Sequence, residues 1–240
     1  MTRLIEIAGL TSGYREAVVI NDLSLGVGKG EALALLGRNG VGKSTLLATL
    51  MGLTTTFQGS IRLDGRDLGA LAPHQRNAAG LGYVPQEREI FHSLTVQQNL
   101  QVAARPGHWD LAAVYRLFPR LAQRRGNFGN QLSGGEQQML AMGRALVGNP
   151  SLLLLDEPLE GLSPIMMDVL LDATRVLKEA GQTLILVEQH AHMALEVTDR
   201  VVVLDRGRIV HEGASADLLR DEARMGELLG VGEATQLASA

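Results

Sequence analysis

The chain has 240 residues, 45% hydrophobic and 20% charged, the make-up of an ordinary globular protein and not of a disordered one. A formal net charge of −4 offers no basic surface for nucleic acid, and the lack of cysteine excludes a disulfide framework and thiolate metal sites. No apolar run approaches the roughly 18 to 20 residues of a membrane helix, and charge interrupts the opening Met1-Thr2-Arg3-Leu4-Ile5-Glu6. The expectation is a soluble, cytoplasmic protein without a signal peptide, built as one large domain or as a core with a subdomain.

Arg3 to Leu10 and Val18 to Val27 alternate as strands do, with Gly13 and a turn at Arg15-Glu16 between them. Tyr14 falls in that turn, placed either to stack on an adenine or to pack on the hairpin. Glu31 to Leu36 is a short apolar run ending on Gly37, as a buried parallel strand should. It feeds Gly37-Arg38-Asn39-Gly40-Val41-Gly42-Lys43-Ser44-Thr45, which fits the phosphate-binding pattern G-x-x-x-x-G-K-[ST]. Ser44 to Met51 then carries apolar residues at helical spacing. The glycines let backbone N–H groups turn inward, and the positive end of the helix completes a socket for a polyphosphate. Lys43 is placed to reach the β- and γ-phosphates, and the Ser44 hydroxyl to ligate Mg²⁺.

Ser60 to Gly65 reads as a further strand, so a small antiparallel sheet is expected beside the phosphate-binding core. Leu81 to Val84 is a short buried strand followed by Pro85-Gln86-Glu87-Arg88. Open α/β sheets carry ligand contacts on such loops, which makes Gln86 a candidate Mg²⁺ or water contact. Thr95 to Ala103 and Asp110 to Phe118 read as helices, the first followed by Pro106-Gly107 and the second stopped by Pro119. Arg116, Arg120, Arg124 and Arg125 form a basic stretch, read as a solvated helical face. With no strand signals, this insertion reads as a helical subdomain.

The insertion ends on Leu132-Ser133-Gly134-Gly135-Glu136-Gln137-Gln138, ahead of an apolar-striped helix from Met139 to Val147. Ser133 and two glycines at a helix N-terminus repeat the physics of the first anion site. One chain rarely needs two such sites for one nucleotide, so Ser133, Gly134 and Gly135 are expected to cap the γ-phosphate held by another chain. Ser151 to Leu155 is an apolar strand ending in Asp156 and Glu157. Asp156 suits the outer shell of Mg²⁺, and Glu157 is placed to orient or deprotonate a water. Pro164 to Ala180 reads as a long helix closed by Gly181, and Thr183 to Val187 as a buried strand leading to Glu188-Gln189-His190-Ala191-His192. On a helix His190 and His192 face different ways, which excludes a metal pair, and His74, His92, His108 and His211 read as surface residues. Arg200 to Asp205 and Arg208 to His211 form a closing hairpin around Gly207, and the small, polar tail from Gly230 is expected to fray.

The phosphate loop, the Gln86 loop, the Leu-Ser-Gly-Gly-Glu run and the Leu-Leu-Asp-Glu strand follow in the order of an ABC-transporter ATPase. The chain resembles that family over almost its whole length. Tyr83 to Phe91, Gln137 to Leu146 and Leu186 to His190 are similar to the ATPases of branched-chain amino-acid importers. Glu160-Gly161 slightly resembles relatives that serve urea and short amides. The resemblance implies an α/β P-loop NTPase fold: a RecA-like core with a small antiparallel β subdomain (residues 1–86 and 149–229), an α-helical subdomain (87–148) and a tail (230–240).

ATP and Mg²⁺ are the implied cofactors. Tyr14 stacks on adenine; Lys43 and the amides of the loop from Gly37 to Thr45 hold phosphate; Ser44, Gln86 and Asp156 surround Mg²⁺; Glu157 activates water. The implied partners are a second ATPase, two transmembrane permease subunits docked near Gln86 and the helical insert, and, through them, a periplasmic solute-binding protein. That places the chain peripherally on the cytoplasmic face of the membrane, with no nucleic acid.

Two positions depart from the family. A switch histidine usually contacts the γ-phosphate after the last buried strand, and Gln189 stands at that place, with His190 one residue late. The importer subgroup shares this glutamine. The loop after the paired acids commonly ends in Asp, where Ser163 stands here. Pairing with a different ATPase that keeps the histidine is therefore expected over a homodimer. The competing functional class is a nucleotide-sensing module without transport, against which Glu157 argues. A DNA-repair ATPase would need a coiled-coil insertion or a basic face, and a translation ATPase a second cassette.

Overall fold

Runs of almost wholly apolar residues become strands covered on both faces. In the computed structural model, which describes residues 3–230, β3 (Ala32–Leu36), β7 (Leu152–Asp156) and β8 (Thr183–Val187) are buried along their whole length. Successive side chains of a strand point to opposite faces. Leu33, Leu35, Leu152, Leu154, Ile185 and Val187 therefore enter one apolar cluster, while Ala34, Leu36, Leu153, Leu155, Leu184 and Leu186 enter another.

The six-stranded sheet has the order β10-β9-β3-β8-β7-β6, completed by β6 (Leu81–Val84), β9 (Arg200–Asp205) and β10 (Arg208–Ala214). All neighbours run parallel except β10, which is antiparallel to β9. The C-terminal ends of β3, β8, β7 and β6 consequently lie side by side along one edge.

The first cluster is closed by α1 (Lys43–Met51) and by an antiparallel sheet of order β2-β1-β4-β5. Its strands are β1 (Arg3–Tyr14), β2 (Ala17–Gly28), β4 (Thr55–Leu63) and β5 (Arg66–Asp67). The turn at Arg15-Glu16 is where the sequence places it, but Tyr14 is the last residue of β1, paired with Ala17, and not part of the turn. β4 also starts five residues earlier than its apolar pattern, because exposed Thr55 to Gln58 are held by backbone pairing to β1.

The second cluster is closed by α6 (Gly134–Leu146), α7 (Pro164–Glu179), α8 (Ala191–Val197) and the insertion. The insertion holds α3 (Val96–Gln101), α4 (Leu111–Leu117) and α5 (Pro119–Gln123). Thr95 and Asp110 cap the first two, accepting from Gln98 N–H and Ala113 N–H. Pro119 ends α4 as expected but also opens α5, since a first helical turn does not need its missing N–H. Leu100, Val114, Phe118 and Leu121 share the cluster with the sheet, so the helical insertion has no separate core.

Three further helices lack a strong sequence pattern: α2 (Pro73–Ala78), α9 (Ser215–Arg220) and α10 (Glu222–Leu229). α2 delivers buried Arg76, whose guanidinium donates to the carbonyls of Thr49 (2.7 Å) and Leu50 (2.9 Å) and so closes the C-terminal end of α1. Gly230 caps α10, and the remainder of the tail expected to fray, 231–240, lies outside the described residues. Among the described residues no helix is long and apolar enough to cross a membrane.

Two glycines of the β3–α1 loop differ in what surrounds them. Gly37, at φ +146°, would bring a Cβ to 2.4 Å from the Leu204 carbonyl oxygen, whereas Gly40, at φ +79°, faces open space. Gly40→Ala is expected to cost about 1 kcal/mol of unfolding free energy, from its left-handed backbone alone. Gly37→Ala is expected to cost more than about 3 kcal/mol, because backbone must also move. Urea unfolding of the two variants checks the order.

Candidate active site

Four neighbouring strand ends supply the site. A cavity of about 300 Å³ is lined by Asn39, Gly40, Gly42, Lys43, Ser44 and Thr45 after β3, Gln86 after β6, Glu157 and Glu160 after β7, and Gln189 after β8. In open α/β sheets ligands bind at this edge, where parallel strands release their loops.

Lys43 opens α1 and is 4% exposed. Its ammonium donates to the Gly37 (2.9 Å) and Arg38 (3.1 Å) carbonyls and lies 3.9 Å from a Glu157 oxygen. Burial lowers its pKa, opposed by Glu157, Asp156 and Glu188. One residue on, the Ser44 hydroxyl donates to Asp156 Oδ1 at 2.9 Å, and the Tyr83 hydroxyl donates to Asp156 Oδ2 at 3.2 Å. Burial raises the Asp156 carboxyl pKa despite those two donors, and burial together with Asp156 pushes the Tyr83 phenol up.

Glu157 is held in the left-handed region at φ +46°. Its N–H donates to the Val187 carbonyl at 2.9 Å, and the Gln189 amide donates to its carboxylate at 2.6 Å. A strained, buried backbone of this kind persists only where its surroundings hold it. The Gln86 side-chain amide donates to the Glu160 carboxylate. Val41 points away from the cavity, and its carbonyl accepts from Gly207 N–H at 2.9 Å, anchoring the loop to the β9–β10 turn.

Not every expected residue converges here. Gly37 and Arg38 line a second cavity of about 760 Å³ behind Gln189, shared with Glu188, His192 and α10. Tyr14, half exposed at the end of β1, lines neither. Ser133, Gly134 and Gly135 also stand outside both. Ser133 caps α6 reciprocally with Glu136: its N–H donates to the Glu136 carboxylate (2.9 Å) and its hydroxyl accepts from Glu136 N–H (3.3 Å). Burial opposes the ionised Glu136, yet the Ser133 bonds and Arg124 hold its pKa below the usual carboxylate range. One chain thus separates its two glycine-flanked helix N-termini.

Three residues of the site were not singled out from the sequence. Tyr83 reads there only as part of a buried strand and Glu188 only as the start of the loop after one, both also within runs of resemblance, and Glu160 only as part of the turn it shares with Gly161. Glu188, 1% exposed, accepts from the N–H groups of Leu159 (2.9 Å) and Gln189 (3.2 Å).

Ser44, Gln86 and Asp156 present oxygen donors only, the chemistry Mg²⁺ prefers, and among the described residues no group of three His, Cys, Asp or Glu could hold a metal. That fits a Mg²⁺ held by a single carboxylate with hydroxyl and amide oxygens and substrate phosphates, not by a protein cage.

Burial pushes the Glu188 carboxyl up to about 7 from an ordinary 4.5. Between those values the folded chain keeps a proton that the unfolded chain has released. Stability is therefore present in full below pH 4.5 and lost as pH rises to about 7. Glu188→Gln lacks that titration. The parent's stability relative to the variant is expected to fall by on the order of 3 kcal/mol across this window, in denaturant unfolding at several pH values.

The sequence model of the ABC transporter family matches residues 20–160, from β2 through the turn after Glu157. The high-affinity branched-chain amino acid transport ATP-binding protein BraG of Pseudomonas aeruginosa is 43% identical over 211 residues, 86% of this chain and 91% of the relative. The probable branched-chain amino acid transport ATP-binding protein LivF of Archaeoglobus fulgidus is 38% identical over 221 residues, 89% and 93% of the two chains. A solved ATP-binding subunit of an ABC transporter shares the fold with a TM-score of 0.78 and 30% identity, over 92% of this chain and 93% of that one. Those matches bear out the resemblance drawn from the motifs. The chain belongs to the ABC transporter family, as an ATP-binding and ATP-hydrolysing subunit.

Proposed function

We propose that this chain hydrolyses Mg-ATP to power uptake of branched-chain amino acids. It works on the cytoplasmic face of a membrane with a second ATPase, two permease subunits and, through them, a periplasmic solute-binding protein. The observation that carries the reading is the convergence of Lys43, Ser44, Glu157 and Gln189 on one cavity, with Asp156 bonded to Ser44 at its wall. The names of the two relatives support the solute class.

In this reading the amides from Gly37 to Thr45 cradle the phosphates, and the Lys43 ammonium exchanges the Gly37 and Arg38 carbonyls for phosphate oxygens. Tyr14 stacks on the adenine. Ser44, Gln86 and Asp156 would hold Mg²⁺, whose chemistry is to neutralise charge on the β- and γ-phosphate oxygens. Glu157 accepts the proton of the attacking water, and the Gln189 amide keeps that carboxylate oriented. A glutamine cannot gain charge as a histidine can, which supports a partner ATPase of different sequence and two unequal sites. Ser133, Gly134 and Gly135, exposed or at the helix start, serve the partner's nucleotide.

Residues 87–148 act as the helical subdomain that meets the permease. A groove of about 800 Å³ runs between the loop after β6, the segment just after α3 and the C-terminal end of α6, lined by Tyr83, Phe91, Val102 and Arg144 among others. Phe91 and Val102 are exposed there, with the Arg144 guanidinium 4.9 Å from the Phe91 ring, an apolar seat with a cationic side.

Glu157→Gln keeps the shape of the side chain and removes its basicity. Steady-state phosphate release by the assembled transporter is expected to drop about 10²- to 10⁴-fold in kcat while Mg-ATP still binds. Turnover at the parent's rate would contradict the assignment of Glu157 as base.

A further inference from the structure

We infer that Glu188 is a positioning residue, whose buried carboxylate ties the turn carrying Glu157 to the loop carrying Gln189 so that both side chains hold one arrangement. The inference rests on the reading of Glu157 as base. Glu188 stands at the C-terminal end of β8, next in the chain to Val187, and its two oxygens are used on two different segments. Oε1 accepts from Leu159 N–H at 2.9 Å, two residues beyond Glu157, and Oε2 accepts from Gln189 N–H at 3.2 Å.

The other contacts close a ring. Glu157 N–H donates to the Val187 carbonyl at 2.9 Å, and Gln189 returns to the Glu157 carboxylate at 2.6 Å. Leu159, 2% exposed, is itself locked in the apolar cluster, so the Glu188 bond cannot shift without moving the turn. Glu157 at φ +46° needs such an external hold.

Packing alone would not put a carboxylate here. Among the described residues Glu188 has no Lys or Arg within ion-pair distance, and it faces the like charge of Glu157, with Lys43 the nearby cation. On its other side the larger cavity brings Arg38, His192 and Glu222 to the same wall. An apolar residue would fill the volume at lower desolvation cost, but could accept neither N–H. Burial with only backbone donors is what a two-segment tie requires.

The test uses Glu188→Gln in the full chain, a substitution of equal volume that keeps one acceptor and turns a donor toward the other N–H. Amide hydrogen exchange at Leu159 or Gln189 is expected to speed up at least about 10-fold. In the assembled complex kcat is expected to fall about 10-fold with KM for ATP unchanged, the signature of a misplaced base and not of weakened binding. On a Gln189→Ala background the further loss should be smaller than on the parent, because the two residues act in one chain of contacts. Unchanged exchange at both amides, a change in KM alone, or losses that multiply in the double variant would overturn the proposal. Failure of the base assignment reads differently: Glu157→Gln would retain turnover while the exchange result stood.

Discussion

One ammonium faces three buried carboxylates, and the rest of the site follows from that imbalance. Lys43 is 4% exposed, Asp156 2% and Glu188 1%, with Glu157 beside them. Carboxylates withdrawn from water without matching cations hold their protons more tightly, and Asp156 and Glu188 both show it. Hydroxyl donors from Ser44 and Tyr83 and backbone N–H groups from Leu159 and Gln189 offset part of the desolvation. A divalent cation beside Asp156 would supply the missing charge, which is the physical sense of an oxygen-only donor set at this place.

The sheet makes such crowding possible. Parallel strands released along one edge bring four loops within reach, and strict two-face burial of β3, β7 and β8 leaves those strands no freedom to slip register. The loops are then cross-tied: Ser44 to Asp156 joins the first to the third, Gln189 to Glu157 the fourth to the third, and Gln86 to Glu160 the second to the third. Every tie ends on the last residue of β7 or on the turn that follows it. Strain at Glu157 is sustained by that density of contacts and not by its own sequence.

Much of this was legible in the chain. The glycine loop between an apolar run and a helical stripe, the leucine run ending in Asp156-Glu157, and the helix N-terminus at Ser133-Gly134-Gly135 are local patterns whose geometry depends on neighbours a few residues away. What stayed hidden depends on distant segments. Tyr83 reads as an ordinary strand residue until β6 is seen beside β7. Glu188 reads as the polar start of a loop until Leu159, 29 residues earlier, is seen to donate to it. Tyr14 carried an aromatic signal in a turn but ends a paired strand. Arg76 had no motif at all, since its four carbonyl partners belong to α1 and to the segment Gly69–Leu71.

The central claim is that this strand edge is half of a catalytic site, completed by Ser133, Gly134 and Gly135 of another chain. The most direct measurement is the specific rate of Mg-ATP hydrolysis as a function of protein concentration, with and without a candidate partner ATPase. The account predicts a rate per chain that vanishes on dilution and recovers when chains associate, with themselves or with that partner. A constant, nonzero rate per chain at concentrations where the protein is monomeric would contradict it.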